Sequence, residues 1–348
     1  MSTINPAFST ELKKYGAFDF NACYNCGNCT AVCALSTEDN SFPREMVRYS
    51  VLGLEDDIKS SLKPWLCYYC GECSDHCPET ADPGELMMSL RRWLTAKYDW
   101  TGLSGLLYRS LPATILAFVI MAVLVVLFAF RANFNTATIL HYGHLFEMGA
   151  ITAVFLVILL PDIIRMWYFT IYRQHIKVPL KNYFKAADEL FIHMFTQKRT
   201  LGCDDNQVRW FEHFILVIGY LALLLTTVVF NWFETHNSFV IWLGYIESAV
   251  IFIVTFDFVR NRIRKKKQLS SHSQPSDWFF VIWLMLMGLT AFAVRLFIDL
   301  NMLSDYFWIY LVHLTVLVQW ALIIVPFGKW THFLYRSFAM YYEKLIKK

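Results

Sequence analysis

Eight of the nine cysteines in this 348-residue chain fall into two runs, Cys23-x2-Cys26-x2-Cys29-x3-Cys33 and Cys67-x2-Cys70-x2-Cys73-x3-Cys77-Pro78. Three thiolates at three-residue intervals on a tight loop can reach three irons of one cubane. The fourth, displaced by one more residue, points toward a neighbouring cluster. The spacing therefore predicts one [4Fe–4S] cluster on Cys23, Cys26, Cys29 and Cys77, and another on Cys67, Cys70, Cys73 and Cys33. Gly27 and Gly71 lie inside the loops, where a missing side chain lets backbone N–H groups approach the sulfides. Two other uses of cysteine compete. Zinc sites show C-x2-C pairs rather than two matching four-cysteine runs, and thiols in a reducing compartment serve as ligands more often than as disulfides. Two clusters in one small domain make a wire. Ala34 stands where Pro78 follows the second run, a small departure between the two.

The elements that position this chemistry differ in solvent. Hydrophobic residues make up 56% of the chain and charged residues 17%, with a mean hydropathy of +0.39; an ordinary soluble protein is about a quarter charged. Residues 1–109 carry ordinary charge, and the long apolar runs follow. The predicted organisation is a cytoplasmic two-cluster domain over 1–105 and a transmembrane domain over 106–348, with a basic cytoplasmic loop at 170–208. Six stretches are long enough to span, near 111–130, 145–168, 210–232, 238–259, 278–298 and 307–327. The N-terminal MSTINPAFSTELKKYG has no apolar core of the kind a secretory leader needs.

Lys and Arg set the orientation. They crowd the segment after the second span (Arg165, Arg173, Lys177, Lys181, Lys185, Lys198, Arg199), the 260–267 run, and the tail (Lys329, Arg336, Lys344, Lys347, Lys348). The opposite loops hold only Arg131. Both termini are thus expected on the cytoplasmic side of the inner membrane in a multi-pass protein. The basic run at 260–267 is read as a solvated loop that sets topology, and a net charge of +3 gives no reason to expect a nucleic-acid partner.

Histidines at membrane depth need partners and are functional hypotheses by default. His213 and His313 fall within spans, and His144 and His332 at span ends. Pairs of imidazoles on facing helices would hold haem b with no open position, which suits electron transfer. His313 and His332 are nineteen residues apart, about 28 Å along a continuous helix, so they cannot share one haem. His213 with His332 would form an inner site. His313 needs an outer partner, for which His144 is the first candidate and His141 and His236 are alternatives. Interhelical hydrogen bonding is the plainer reading of each. Charged residues within the spans, Asp162 among them, are the natural markers of a quinone site. Glu147 and Arg295 are its candidates near the outer face, Arg295 competing with a pairing to Asp299 or to a haem propionate. Cys203, outside both runs, is read as an inert thiol.

The two cysteine runs, with Phe42-Pro43-Arg44-Glu45-Met46, Pro64-Trp65-Leu66-Cys67 and Leu90-Arg91-Arg92, resemble the C subunit of heterodisulfide reductase over roughly residues 18–98. The stretch from His313 through Val325-Pro326-Phe327-Gly328-Lys329-Trp330-Thr331-His332 resembles the last haem helix of the gamma subunit of respiratory nitrate reductase. Together they resemble the C subunits of quinone-interacting membrane-bound oxidoreductases. That likeness implies a mainly α fold: a ferredoxin-like helical head fused to a six-helix cytochrome b-like bundle with one or two haems b. It also implies soluble partner subunits with flavin and iron–sulfur clusters, menaquinone as substrate, and exchange with adenylylsulfate reductase. An electron-transfer subunit of an oxidoreductase is the leading expectation. A catalytic disulfide reductase lacks a spare cysteine pair, a haem-free anchor remains open, and a transporter would show an internal repeat.

Overall fold

The computed structural model describes residues 3–198, 201, 207–226, 238–265 and 272–347. Described residues are mainly helical, with no strand among them beyond an isolated bridge between Thr37 and Asn40. Short helices carry the cysteine loops. The long helix α1 (Pro83–Tyr98) runs beneath them. It is capped at its start by Asp82, whose carboxylate accepts from the Glu85 amide at 3.3 Å, and Pro83 sits where a missing N–H costs nothing. Nearly all of α1 is buried, Trp93 packing edge-on against Phe8 at 5.1 Å.

Five helices are long and apolar enough to cross a membrane: α2 (Leu111–Arg131), α3 (Thr136–Tyr172), then, beyond a shorter apolar helix, α5 (Ser238–Arg264), α6 (Pro275–Asp299) and the 308–346 stretch. The shorter one, α4 (Gln207–Leu224), holds the third expected span; the rest of that span, with His236, lies outside the described residues, as does Cys203. The second span begins earlier than the hydropathy predicts, so His141 and His144 are inside it.

The last stretch is not one straight rod. α7 (Trp308–Gln319) continues through a π turn at 320–324 and ends at Gly328, whose backbone is extended. α8 (Thr331–Ile346) then starts afresh. The separation of His313 and His332 therefore does not follow the continuous-helix estimate. A β-carbon on Gly328 would come within 2.7 Å of the Ile324 carbonyl oxygen, so the sharp turn requires glycine.

Two of the three π turns, the third being at 168–172, have one cause. A π turn at 155–159 precedes Pro161, and the one at 320–324 precedes Pro326. Proline has no N–H to give and pushes away the carbonyl four residues back. For Pro161 that is Val157, whose carbonyl oxygen accepts instead from Trp100 Nε1 at 3.0 Å. A local defect in α3 thus becomes an attachment point for the segment leaving the head. Asp162 and Arg165 extend the attachment. Asp162 accepts from the Trp100 amide at 3.1 Å, and Arg165 donates to the carbonyls of Tyr98 and Lys97 at 2.8 and 3.1 Å.

Candidate redox centres and their neighbours

The two cysteine loops are conformational copies. Asn25 and Gly27 in the first, and Tyr69 and Gly71 in the second, all have positive φ, and each glycine precedes a single helical turn, Asn28–Ala31 or Glu72–Asp75. No disulfide joins any two of the eight cysteines. The thiols gather as two quartets. Cys29 has Cys23, Cys26 and Cys77 as charged neighbours, while Cys33 has Cys67 and Cys70. Cys73 faces Cys67, Cys70 and Cys33, and also feels Cys29, so the quartets adjoin. By these neighbours Cys77 sits with the thiols of the first run and Cys33 with those of the second. Among the described residues no three His, Cys, Asp or Glu side chains converge on a single-ion site.

Burial, then the thiols beside it, pushes Cys73 far up, and burial carries Cys33 to about 11. Thiols so placed resist ionisation until a metal takes up their charge. Backbone N–H groups already point at sulfur: Tyr69 to Cys67 at 3.3 Å and Ala81 to Cys77 at 3.4 Å.

The environments of the quartets differ. Cys26 is exposed, beside exposed Tyr24 and Val32. Cys29 is buried in that quartet, whereas the other has two buried thiols, Cys67 and Cys73, and no exposed one. The second loop also lies against the spans through Arg91, a buried cation on α1. Its Nε donates to the Pro64 carbonyl at 2.7 Å and its Nη2 to the Cys67 carbonyl at 2.5 Å. Nη1 stands 3.4 Å from His332 Nε2. Trp65 completes the bridge, its ring 6.0 Å from His332 and 5.2 Å from Tyr335.

His332 is half-buried at the start of α8, and the titratable groups that act on it are Arg91, Arg336, Lys329 and His213. His213 of α4 is thus near enough to act on His332 electrostatically, and its ring lies 5.3 Å from that of Phe258 on α5. His313 lies elsewhere, its Nδ1 2.9 Å from Thr290 Oγ1 on α6. Thr290 has one hydroxyl proton and gives it to the Leu286 carbonyl at 2.7 Å. Nδ1 is then the donor, which leaves Nε2 with the lone pair. The neighbours of His313 include Tyr310, 6.4 Å between rings. The Tyr310 hydroxyl presses on Gly143, where a β-carbon would overlap it. His144 follows Gly143 on α3, and Glu147 is close enough to act on Tyr310 electrostatically. Arg295 is held by Asp299 on its own helix, and Asp299 also accepts from Tyr245 at 2.7 Å.

Arg92, adjacent to Arg91, makes a second joint that the sequence does not reveal. Its Nη1 donates to Glu85 at 2.9 Å and to the Tyr15 carbonyl at 2.8 Å; Nη2 donates to Asp277 of α6 at 3.1 Å. Lys329 donates to the other Asp277 oxygen at 2.6 Å. The Glu85, Arg92 and Asp277 side chains are buried, so each charge is matched inside the joint. Gly16, with φ +105°, lets the head close on it; a β-carbon there would meet Arg92 at 2.9 Å and Gln274 at 2.8 Å.

A sequence profile of the 4Fe–4S dicluster domain matches residues 22–81. Residues 22–81 are a 4Fe–4S dicluster domain. Curated relatives of this region are heterodisulfide reductase C-type proteins. A protein of Archaeoglobus profundus, similar to the C subunit of heterodisulfide reductase, is 30% identical over 88 residues, 25% of this chain and 47% of that protein. The C subunit of the H(2):CoB-CoM heterodisulfide,ferredoxin reductase of Methanothermobacter thermautotrophicus is 32% identical over 75 residues, 22% and 40% of the two chains. An iron-sulfur C subunit of the CoB–CoM heterodisulfide reductase of Methanocaldococcus jannaschii is 32% identical over 97 residues, covering 28% and 50%. The chain thus spans about half the length of the curated relatives it matches. No solved structure matches.

Proposed function

We propose that this chain is the membrane subunit of a quinone-linked oxidoreductase complex, passing electrons between the quinone pool and soluble partner subunits. In this reading residues 1–105 are a cytoplasmic two-cluster head and 106–348 a haem b-bearing bundle in the cytoplasmic membrane, with both termini inside. The observation that supports it is the contact chain from the Cys67 carbonyl through Arg91 to His332, which leaves one side chain between the second cysteine loop and that histidine.

When bound, two [4Fe–4S] clusters and haem b would supply one-electron centres that protein side chains lack. The chain's own residues hold and tune them. Cys23, Cys26, Cys29 and Cys77 would ligate the outward cluster, and Cys67, Cys70, Cys73 and Cys33 the inward one. The donor set fits, because each quartet is four thiols with backbone N–H groups aimed at sulfur. His213 and His332 would bind an inner haem. His313, with Nδ1–H fixed by Thr290 and Nε2 as the open nitrogen, fits an outer ligand in the way metal-binding imidazoles are usually oriented; His144 is its proposed partner. Partners would be soluble flavin and iron–sulfur subunits docking over Tyr24 and Cys26. The resemblance to quinone-interacting oxidoreductase C subunits adds menaquinone and adenylylsulfate reductase as the two ends of the electron exchange.

A second reading follows from the relatives: a subunit relaying electrons within a heterodisulfide reductase-type complex. It shares the clusters and differs in the partner. Iron, acid-labile sulfide and haem analysis of the anaerobically purified full chain tests what both require. About eight non-haem irons per chain are expected from two cubanes, with sharp haem b bands after dithionite. Cys67→Ser should remove about half of the iron, one cubane of two, and leave the haem bands. Zinc in place of iron would overturn the conduit, and a haem-free chain would leave a cluster-bearing anchor.

A further inference from the structure

Where the head meets the spans, the structure has a narrow cleft of about 70 Å³. Resting on the quinone-linked reading, we infer that a quinone ring binds here, on the cytoplasmic side of the bundle and beside His332. The sequence expectation places the quinone near Glu147 or Arg295, toward the opposite face.

The cleft is two-sided in its chemistry. Phe118, Phe279, Phe280 and Phe327 make an aromatic wall, and Tyr15, Tyr108 and Lys329 close the other end. Two rings of that wall stack on each other: Phe118 and Phe279 lie 5.0 Å apart, with planes 21° from parallel. Leu111, a half-exposed residue at the start of α2, lines the same cleft. An occupant therefore needs a flat apolar ring, a tail that can enter from lipid, and hydrogen-bond acceptors at one end. A quinone has all three.

Charge bears on the choice between this occupant and a lipid phosphate. Arg92, Lys329 and the exposed Lys14 line the cleft; Arg92 is matched by Glu85 and Asp277, and Lys329 by Asp277. The polar end, where both inner cations are already matched by carboxylates, suits neutral carbonyls better than an anion. Position supplies the connection to the redox centres. Arg92, Tyr108, Ser276 and Lys329 line both this cleft and the smaller cavity that reaches His332, Trp65 and Arg91. A ring in the cleft is separated from the inner histidine by one layer of side chains. Neither Glu147 nor Arg295 lines either cavity.

The test uses the full chain in detergent or nanodiscs and the fluorescent quinol analogue 2-heptyl-4-hydroxyquinoline N-oxide, whose quenching reports binding. Leu111→Trp should narrow the cleft from a half-exposed position, and Tyr108→Phe removes a donor at its polar end. Iron content and the dithionite-reduced spectrum confirm that each variant is assembled. Each is expected to weaken the analogue about tenfold, the order of one lost hydrogen bond or a partly blocked wall, while Glu147→Gln, the rival outer position, binds as wild type. Wild-type affinity in both cleft variants, or weakening by Glu147→Gln alone, overturns the cleft and leaves the quinone-linked reading standing. Failure of the wild-type chain to bind the analogue overturns that reading and the cleft with it.

Discussion

The two cysteine loops have one spacing and one backbone path, with positive φ at matching positions, yet they occupy different worlds. The first carries an exposed thiol, Cys26, along with exposed Tyr24 and Val32. The second carries no exposed thiol, Cys67 and Cys73 being buried, and its Cys67 carbonyl is gripped by a cation that also faces His332. Ligand spacing decides what is bound. Tertiary packing decides in which order the centres are met. The polarity of the proposed wire, outward quartet to partner and inward quartet to membrane, comes from the second source alone.

Three changes would break or sharpen this contrast. The largest effect is expected from Asp277→Leu, which strips the matching charge from buried Arg92 and half-buried Lys329. Orphaning a buried ion pair costs about 3–5 kcal/mol. The head should loosen, and the inward quartet should lose its protection, read as faster iron loss to a chelator and a lower Tm. Iron loss confined to the outward quartet would contradict the assignment. Next, Arg91→Gln removes a cation beside the Cys67 loop. Its hydrogen bonds as a charged donor are worth about 1.5–3 kcal/mol. A potentiometric titration followed by EPR should show one cluster shifting to lower potential and the other unmoved, because loss of a nearby positive charge disfavours the electron-rich state. Equal shifts in both clusters would erase the contrast. Smallest is Tyr24→Ser, an exposed change that should alter stability by no more than about 0.5 kcal/mol. Weaker capture of the soluble partner subunits, with cluster content intact, would mark the outward face as the docking side.

Much of this is legible in the sequence. The cysteine runs announce the dicluster domain, because ligand spacing is a local property. Apolar length announces the spans, because a bilayer demands it of each helix separately. The joints are not legible. Arg92 and Asp277 are 185 residues apart, and nothing local in either marks a partner. Lys329 reads as one of the cationic tail residues that set topology, whereas the structure commits it to Asp277 inside the joint. Asp162 interrupts an apolar run and reads as a quinone marker, but it holds the Trp100 amide. The same physical fact underlies all three. A charge at a membrane boundary reads as solvated until the surface that buries it is known.

The helix α1 carries Arg91 and Arg92 side by side, and successive residues on a helix point about 100° apart. One reaches the cysteine loop and the inner histidine; its neighbour locks onto α6. A swinging carrier, which docks and undocks to ferry charge, cannot be built this way. The gap between inward quartet and inner histidine is fixed when the chain folds. In the proposed conduit, transfer across it should therefore be indifferent to solvent viscosity, leaving only encounters with a soluble partner to respond.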